Sequence, residues 1–215
     1  MPARFSCNFY VPMRDYSEVE LYKKAEEFYA VKRHKLIKKE GKFLIFEYDM
    51  DWGTRIEEPK DPLYDNLLVA VISAESLSKL NHGGFNDCWI LGNSINQETY
   101  IDGYGGDGEI NKKAILKNRT DFVNLMKDLF LHLDAPFGWI EYEDYWPDRS
   151  SDDVLDGKVP TGNSYVFIGK KYVAKLNKAE LKKTDFAKLN NGGILIHNRK
   201  LENGRSAFDS TPSTG

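Results

Sequence analysis

The feature that most constrains the fold is a stripe of apolar residues between positions 120 and 133. These residues recur at spacings of three and four, which places them on one face of an α-helix: Phe122, Leu125, Met126, Leu129, Phe130 and Leu133. Thr120 has the residue type of a helix N-cap, Asp121 suits the first turn, and Pro136 closes the segment. The sequence therefore predicts an amphipathic helix starting at Thr120, and its apolar face must be buried against another layer of structure.

A second amphipathic helix is predicted near the N-terminus. Ser17 and Glu20 have the spacing of a capping box, in which the Ser17 hydroxyl accepts from the backbone of Glu20 and the Glu20 carboxylate reaches back. Apolar residues at helical spacing follow, up to about Val31: Leu21, Tyr22, Ala25, Phe28 and Tyr29. We therefore expect two main helices, each with one apolar face.

Several other segments have the patterns of β-strands. Apolar residues alternate with polar ones from Phe5 to Val11, which predicts a strand buried on one face only. Asn66–Ser73 is almost wholly apolar, as in a central strand covered on both faces. The remaining predicted strands are Phe43–Tyr48, Cys88–Leu91, Thr99–Ile101, Phe137–Tyr142, Asn163–Ile168 and Ile194–His197.

The order of the elements predicts an α+β fold. Helices and strands alternate irregularly, which favours a mixed or antiparallel sheet with the two main helices packed on it. Residues 1–201 are predicted to form a single domain and residues 202–215 a flexible C-terminal tail, because that end is small and polar. The shorter predicted features are a helix at Ala74–Leu80, two short helices within Lys170–Lys183, a turn at Asn191–Gly193, and loops at Asp49–Asp65 and Glu143–Thr161.

Composition limits the classes of partner and compartment. The 215 residues include 30 Lys and Arg against 33 Asp and Glu, a net charge of −3, which argues against a dedicated nucleic-acid binder. We find neither a signal peptide nor an apolar run that spans a bilayer, so the expectation is a cytoplasmic protein without a membrane partner. Cys7 and Cys88 lie among apolar residues and are predicted to be small buried hydrophobes, although a single disulfide between them stays open.

Two motifs suggest ligands but fit poorly. The glycines Gly103, Gly105 and Gly108 have the spacing of a phosphate-binding loop, but three neighbouring acids would repel phosphate and the following residues favour a helix only weakly. Those acids do not match the spacing of a calcium-binding loop. The four histidines are scattered without metal-ligand spacing. We therefore predict no cofactor and no metal.

Catalytic candidates are equally sparse. Cys88 and His82 could form a thiol–imidazole pair, which is the arrangement that activates a cysteine nucleophile, but Cys88 begins an apolar strand. The carboxylates Glu141, Glu143 and Asp144 could do acid–base work if burial separated their pKa values. We keep an enzyme that uses either group as the alternative to a binding protein.

The acidic segment, residues 141–156, is the strongest candidate interaction surface. It holds seven acids against one basic residue, Arg149, and aromatic residues are interleaved with them. Carboxylates steer a basic partner and aromatic side chains anchor interfaces. The predicted partner-binding residues are Glu141, Tyr142, Glu143, Asp144, Tyr145, Trp146, Asp148, Asp152 and Asp153. The basic stretch Lys32–Lys42 is interpreted as a solvated face that follows a helix end.

The C-terminal half contains an aromatic strand from Tyr165 to Ile168, a helix beginning Tyr172-Val173, and a closing Gly192-Gly193-Ile194 strand. In these features it resembles the immunity-protein 52 family of bacterial polymorphic toxin systems. The helix from Phe122 and the strand from Phe137 also fit, so the resemblance spans Thr120–His197. Asn177 stands where relatives often have glycine, a tolerable exchange because asparagine also adopts left-handed backbone angles.

The resemblance implies a function. Proteins of that family bind a toxin in the cell that produces it and block it, so the resemblance implies a toxin-neutralising protein that occludes a cognate toxin. No functional residue is carried over, because the family's toxin contacts vary. An inhibitor of another protein target stays open beside the enzyme alternative.

Overall fold

The strand Arg4–Pro12 (β1) lies at the centre of the fold and pairs along both of its edges. The computed structural model describes residues 4–32, 35–40, 43–47, 65–73, 88–97, 108–142 and 150–201, with side chains for 6–32, 88–93, 120–141 and 150–201. Within these ranges the further strands are Lys35–Glu40 (β2), Phe43–Glu47 (β3), Asp65–Ser73 (β4), Cys88–Gln97 (β5), Phe137–Tyr142 (β6), Tyr165–Ile168 (β7), Phe186–Lys188 (β8) and Ile194–His197 (β9). The helices are Glu18–Val31 (α1), Gly108–Leu133 (α2), Ser151–Leu155 (α3), Lys170–Val173 (α4) and Lys178–Leu181 (α5).

The described strands form one sheet in the order β2-β3-β4-β5-β1-β6-β7-β9-β8. Every neighbouring pair is antiparallel. The α+β prediction is confirmed, and of its two sheet alternatives the antiparallel one is correct. The predicted central position of the apolar strand is also correct, because β4 lies between β3 and β5.

Helices α1 and α2 cover one face of the sheet. Their apolar stripes meet the residues of β1 that point to that side, and the rings of Phe9, Phe130 and Phe167 are in contact. All five predicted core residues of α1 and all six of α2 are buried. The two amphipathic stripes therefore do what their periodicity predicts, which is to bury one face of each helix against the sheet.

The opposite face of the sheet is also covered, and this corrects the prediction for β1. The polar-side residues Ser6, Asn8 and Tyr10 are 1%, 3% and 1% exposed, so the strand is buried on both faces. A second apolar cluster fills this side, where Tyr10 packs on Phe137 and Trp139. The alternation of apolar and polar residues in β1 predicts one solvent-exposed face. The C-terminal segments that contain α3, α4 and α5 contribute side chains that cover this face.

Local signals set the start of α1 but not that of α2. At α1 the predicted capping box is present: the Glu20 amide donates to the Ser17 hydroxyl, and the Ser17 amide donates to the Glu20 carboxylate at 2.7 Å. By contrast α2 begins at Gly108, twelve residues before the predicted N-cap Thr120. The residues between them include glutamate, lysine, alanine and leucine, which favour helix and extend it upstream.

Helix α2 ends in a left-handed residue that is not glycine. Asp134 has φ +48°, the amide of Ala135 donates to the carbonyl of Phe130, and the amide of Asp134 donates to that of Leu131. This is a Schellman motif, which glycine usually closes. The predicted end of the helix before Pro136 is therefore correct.

Several boundaries differ from the sequence predictions. The basic stretch contains strand β2, which lies at a sheet edge, where charged residues oppose further pairing. The predicted loop Glu143–Thr161 contains α3, and β8 was not predicted. Asn177 does not adopt a left-handed conformation: it has φ −60° and caps α5, accepting hydrogen bonds from the amides of Ala179 and Glu180.

Other predictions are confirmed or lie outside the described residues. The strand Phe137–Tyr142, the two short helices α4 and α5, and the turn before β9 are correct, with Gly192 at φ +85°. The predicted helix at Ala74–Leu80, the strand at Thr99–Ile101 and the tail at 202–215 lie outside the described residues. In the described part of the chain, no helix combines the length and the apolarity that crossing a bilayer requires.

Candidate functional site

The structure describes part of the acidic segment. Glu141 and Tyr142 end strand β6, and Asp152 and Asp153 lie in the first turn of α3. Asp152 is exposed and Asp153 is half-buried. The other predicted partner-binding residues lie outside the described residues, and these are Glu143, Asp144, Tyr145, Trp146 and Asp148.

Glu141 does not belong to the exposed surface on which the sequence analysis puts it. Its side chain is 2% exposed. One carboxylate oxygen accepts a hydrogen bond from Ser164 Oγ at 2.9 Å, and the other accepts one from Asn163 Nδ2 at 3.2 Å. A buried carboxylate needs such donors, because burial removes its hydration. Glu141 therefore acts inside the fold, and its covering residues come from a segment more than twenty positions away.

Asn163 links Glu141 and Ser150, two residues of the acidic segment. Its amide nitrogen donates to Glu141, and its amide oxygen accepts from Ser150 Oγ at 2.8 Å. Both Asn163 and Ser150 are fully buried. Asn198 holds the Asn163 backbone in turn, since its amide nitrogen donates to the Asn163 carbonyl at 2.7 Å. One buried asparagine therefore bonds to residues on both sides of positions 142–149.

Helix α3 attaches the far end of the acidic segment to the sheet. Val154 is fully buried in the second apolar cluster. Asp156 is exposed and pairs with Lys158 at 2.9 Å, and this hydrogen bond is the main cause that raises the pKa of Lys158. Acids in the first turn of a helix interact favourably with its dipole, which fits the positions of Asp152 and Asp153.

A groove of about 960 Å³ lies at the other end of β6. Its walls come from the turn after β1, the turn after α2, and helix α4, and they include Arg14, Pro136, Lys171 and Tyr172. Cys88 lies on its inner surface and is 6% exposed. Burial raises the pKa of Tyr172, the nearby Cys88 adds to this, and Arg14 lowers it.

The structure does not test the catalytic candidates, because His82, Glu143 and Asp144 lie outside the described residues. His82 lies outside them, so its distance from Cys88 is not described. Cys7 and Cys88 are both buried, as predicted, and neither forms a disulfide. They cannot form a disulfide: Cys88 is opposite Pro12 in the β1–β5 register, five residues or about 17 Å along the strand from Cys7. Burial raises the pKa of the Cys7 thiol well above its usual value.

The glycine motif lies almost entirely outside the described residues. Gly108 is the first residue of α2, so a helix does start at the last glycine, contrary to the sequence expectation. Gly103, Gly105 and the acids next to them are not described. The described side chains include no group of three or more His, Cys, Asp or Glu residues placed to hold a metal ion.

A strongly basic surface escaped the sequence analysis. We define the lysine surface as residues 170–188, where seven lysines stand against two acids, a net charge of +5. All seven side chains are exposed, and these are Lys170, Lys171, Lys175, Lys178, Lys182, Lys183 and Lys188. Counting charge over short windows of the sequence would have found this surface. The buried role of Asn163 has no comparable signal in the sequence.

Comparisons with known proteins identify no family for this chain. No protein family and no curated protein matches the chain. Among solved structures, the chain is similar to a T6SS protein of Pseudomonas aeruginosa, with 11% sequence identity and a TM-score of 0.42. The similarity covers 91% of this chain and 65% of that protein, so the chain spans slightly less than two thirds of its length.

Proposed function

We infer that this chain is a non-enzymatic protein-binding protein that neutralises a cognate toxin by occluding it. The observation that carries the proposal is the attachment of the acidic segment at both ends. Asn163 bonds to Glu141 and to Ser150, which flank residues 142–149 in sequence. Residues 142–149 include three carboxylates and one arginine, and beyond β6 they include one tyrosine and one tryptophan.

Fixed ends favour binding for an entropic reason. A segment whose ends are already held loses less conformational freedom when a partner orders it, so more of the contact energy is left for affinity. Tyr145 and Trp146 supply large contact area with few rotatable bonds, and Glu143, Asp144 and Asp148 supply charge that attracts a basic surface. The proposed mechanism is steric occlusion of a toxin together with charge complementarity.

The resemblance to the immunity-protein 52 family supports the same role. The residues that carry the resemblance lie in helix α2, the adjacent strands β6 and β7, and the closing strand β9, whereas Tyr172 and Val173 end the short helix α4 instead of beginning one. Asn163, which bonds to Glu141 and Ser150, lies two residues before the first residue of β7. The proposal thus joins a family resemblance to a specific surface.

Affinity purification from the native host, washed at low and at high salt and followed by mass spectrometry, tests the proposal. We expect one stoichiometric partner that is a toxin and whose toxic activity the chain inhibits. The variant Glu143→Lys with Asp144→Lys should lose this partner at low salt. The matched control, Glu27→Lys with Asp121→Lys, makes the same change in charge on exposed helix positions and should retain it.

Two results would contradict the proposal in different ways. Unchanged affinity of the Glu143→Lys, Asp144→Lys variant would remove the acidic segment from the interface. A partner-free monomer, or a partner that is not a toxin, would refute toxin neutralisation. If the chain purified as a partner-free monomer, the enzyme alternative with Cys88 would be the next to test.

A further inference from the structure

The lysine surface concentrates positive charge on a chain that is acidic elsewhere. Residues 170–188 carry +5 while the whole chain carries −3, so the other residues together carry −8. The charge is therefore unevenly distributed rather than merely balanced. Such asymmetry is typical of a surface that attracts an anionic partner.

The two acids of the lysine surface do not neutralise its lysines. Glu180 accepts hydrogen bonds from the Val159 amide and from Asn177 Nδ2, and Asp185 pairs with Arg199 at 2.7 Å. None of the seven lysines forms an ion pair with a described residue. The ammonium groups of Lys171 and Lys175 lie 5.7 and 5.3 Å from the centre of the Tyr172 ring, so these two like charges stand near the same side chain.

The groove adjoins this surface directly. Lys170 and Lys171 belong to both, because helix α4 forms one wall of the groove. The inner lining includes Ala135, Pro136 and the buried Cys88, which are apolar or weakly polar. The two acids of the rim are engaged, Asp15 with Arg14 at 3.5 Å and Asp134 with Asn191 at 3.4 Å. A groove whose lining is partly apolar and includes the lysines of α4 suits an apolar side chain flanked by carboxylates.

An acidic protein segment fits this arrangement better than a nucleic acid. The charge of −8 on the rest of the chain would repel a long phosphate backbone. Residues 170–188 contain no arginine, the residue whose planar fork best recognises phosphate. The ring of Tyr172 has Lys171 and Lys175 ammonium groups within 5.7 and 5.3 Å of its centre, so those groups compete with a stacking base.

We propose that the groove and the lysine surface together bind an acidic segment of a protein, whose apolar side chain enters the groove while its flanking carboxylates face the lysines. The proposal goes beyond toxin neutralisation through the acidic segment, because it concerns a different surface and a partner of opposite charge. The groove lies at the start of β6 and Glu141 lies near the end of this six-residue strand, which spans about 20 Å. One chain can therefore engage two partners, or two parts of one partner, at once.

Fluorescence anisotropy with a labelled peptide tests this directly on the full chain. The probe is a synthetic peptide in which a tryptophan is flanked on both sides by glutamates, and the control peptide has glutamines in their place. We expect binding of the glutamate peptide that weakens as salt rises, and about tenfold weaker binding of the glutamine peptide. A single-stranded oligonucleotide of similar length serves as the competing probe.

Charge-reversal variants identify the surface. Lys171→Glu with Lys182→Glu should weaken peptide binding about tenfold, whereas the control Lys23→Glu with Lys127→Glu makes the same change in charge on α1 and α2 and should change it by less than about twofold. Ala174→Trp adds a bulky side chain at an exposed position of the groove and should reduce binding without a change in net charge. Circular dichroism confirms that each variant is folded.

Three outcomes would overturn the proposal. They are no detectable binding of the glutamate peptide at low salt, equal effects of the two charge-reversal pairs, and tighter binding of the oligonucleotide than of the peptide. None of them depends on whether a toxin is found, so the proposed function and this inference can fail separately.

Discussion

Replacing Asn163 by alanine removes the buried contact that holds both ends of residues 142–149. The side chain makes one hydrogen bond to the Glu141 carboxylate at 3.2 Å and one to Ser150 Oγ at 2.8 Å. A bond to a charged group contributes about 1.5–3 kcal/mol and a neutral one about 0.5–1.5 kcal/mol. We therefore expect Asn163→Ala to lower the free energy of unfolding by about 3 kcal/mol, which for a chain of this size lowers Tm by about 6–12 °C.

Urea denaturation measures this loss directly, with Asn124→Ala as the control. Asn124 is an exposed residue of α2, and among the described residues its side chain accepts a hydrogen bond from Lys127 alone. Because alanine favours helix, this control variant should lose no stability. An unchanged slope of free energy against urea would show that stability itself had changed. A loss below about 1 kcal/mol would refute the reasoning, because two buried hydrogen bonds cannot be removed so cheaply.

Limited proteolysis separates the anchoring role from stability alone. Trypsin can cleave after Arg149, between the two anchored ends. Val166→Ala, a fully buried β7 residue, provides a variant that loses about 2–3 kcal/mol while keeping both Asn163 contacts. We expect faster cleavage after Arg149 in Asn163→Ala than in Val166→Ala. Equal rates would mean that Asn163 stabilises the fold without fixing the acidic segment.

Four further predictions concern contacts elsewhere in the described part of the chain. Ser17→Ala should lower stability by about 1 kcal/mol through loss of the N-cap, as measured by urea denaturation, and Ser17→Asp should retain most of it. Hydrogen bonds from Ser17 lower the pKa of Glu20. The stability that they contribute should be present above the pKa of Glu20 in the unfolded chain and lost as pH falls through its pKa in the folded chain. Glu20→Gln should abolish that part of the acid dependence in melting curves recorded at several pH values. Gly138→Ala should cost at least about 2 kcal/mol in the same denaturation assay, because its added Cβ would lie 2.3 Å from a phenylalanine ring carbon in β1. Iodoacetamide should modify Cys7 and Cys88 slowly in the folded chain and rapidly in urea, whereas fast stoichiometric labelling of Cys88 would favour the enzyme alternative.

Local interactions explain the parts of the fold that the sequence predicts well. The capping box that starts α1 is formed by residues three positions apart, and the turn at Asn191–Gly193 closes through the Asn191 side chain and the Gly193 amide. The stripe from Phe122 to Leu133 requires only that something apolar faces it. The cap and the turn are predicted correctly because their contacts join residues within a few positions of each other. The stripe is predicted correctly because its periodicity decides which face of the helix is buried.

The candidate site divides along the same line. The charge of the lysine surface is written in the sequence and could have been counted there. The groove could not be predicted from the sequence, because it forms where the turns after β1 and α2 meet helix α4 and the start of β5. Glu141 shows the same limit, since the sequence puts it in a run of acids that are otherwise predicted to be exposed.

The sequence by itself determined the two amphipathic helices, the strand pattern and the α+β class, because periodicity within one segment decides which face must be buried. Tertiary structure alone decided that β1 is covered on both faces, that Asn163 holds Glu141 and Ser150, and that helix α4 forms a groove with the ends of β1 and α2. The physical reason is that exposure and hydrogen-bond partners depend on which distant segments come together. For Glu141 those partners lie 22 and 23 positions further along the chain.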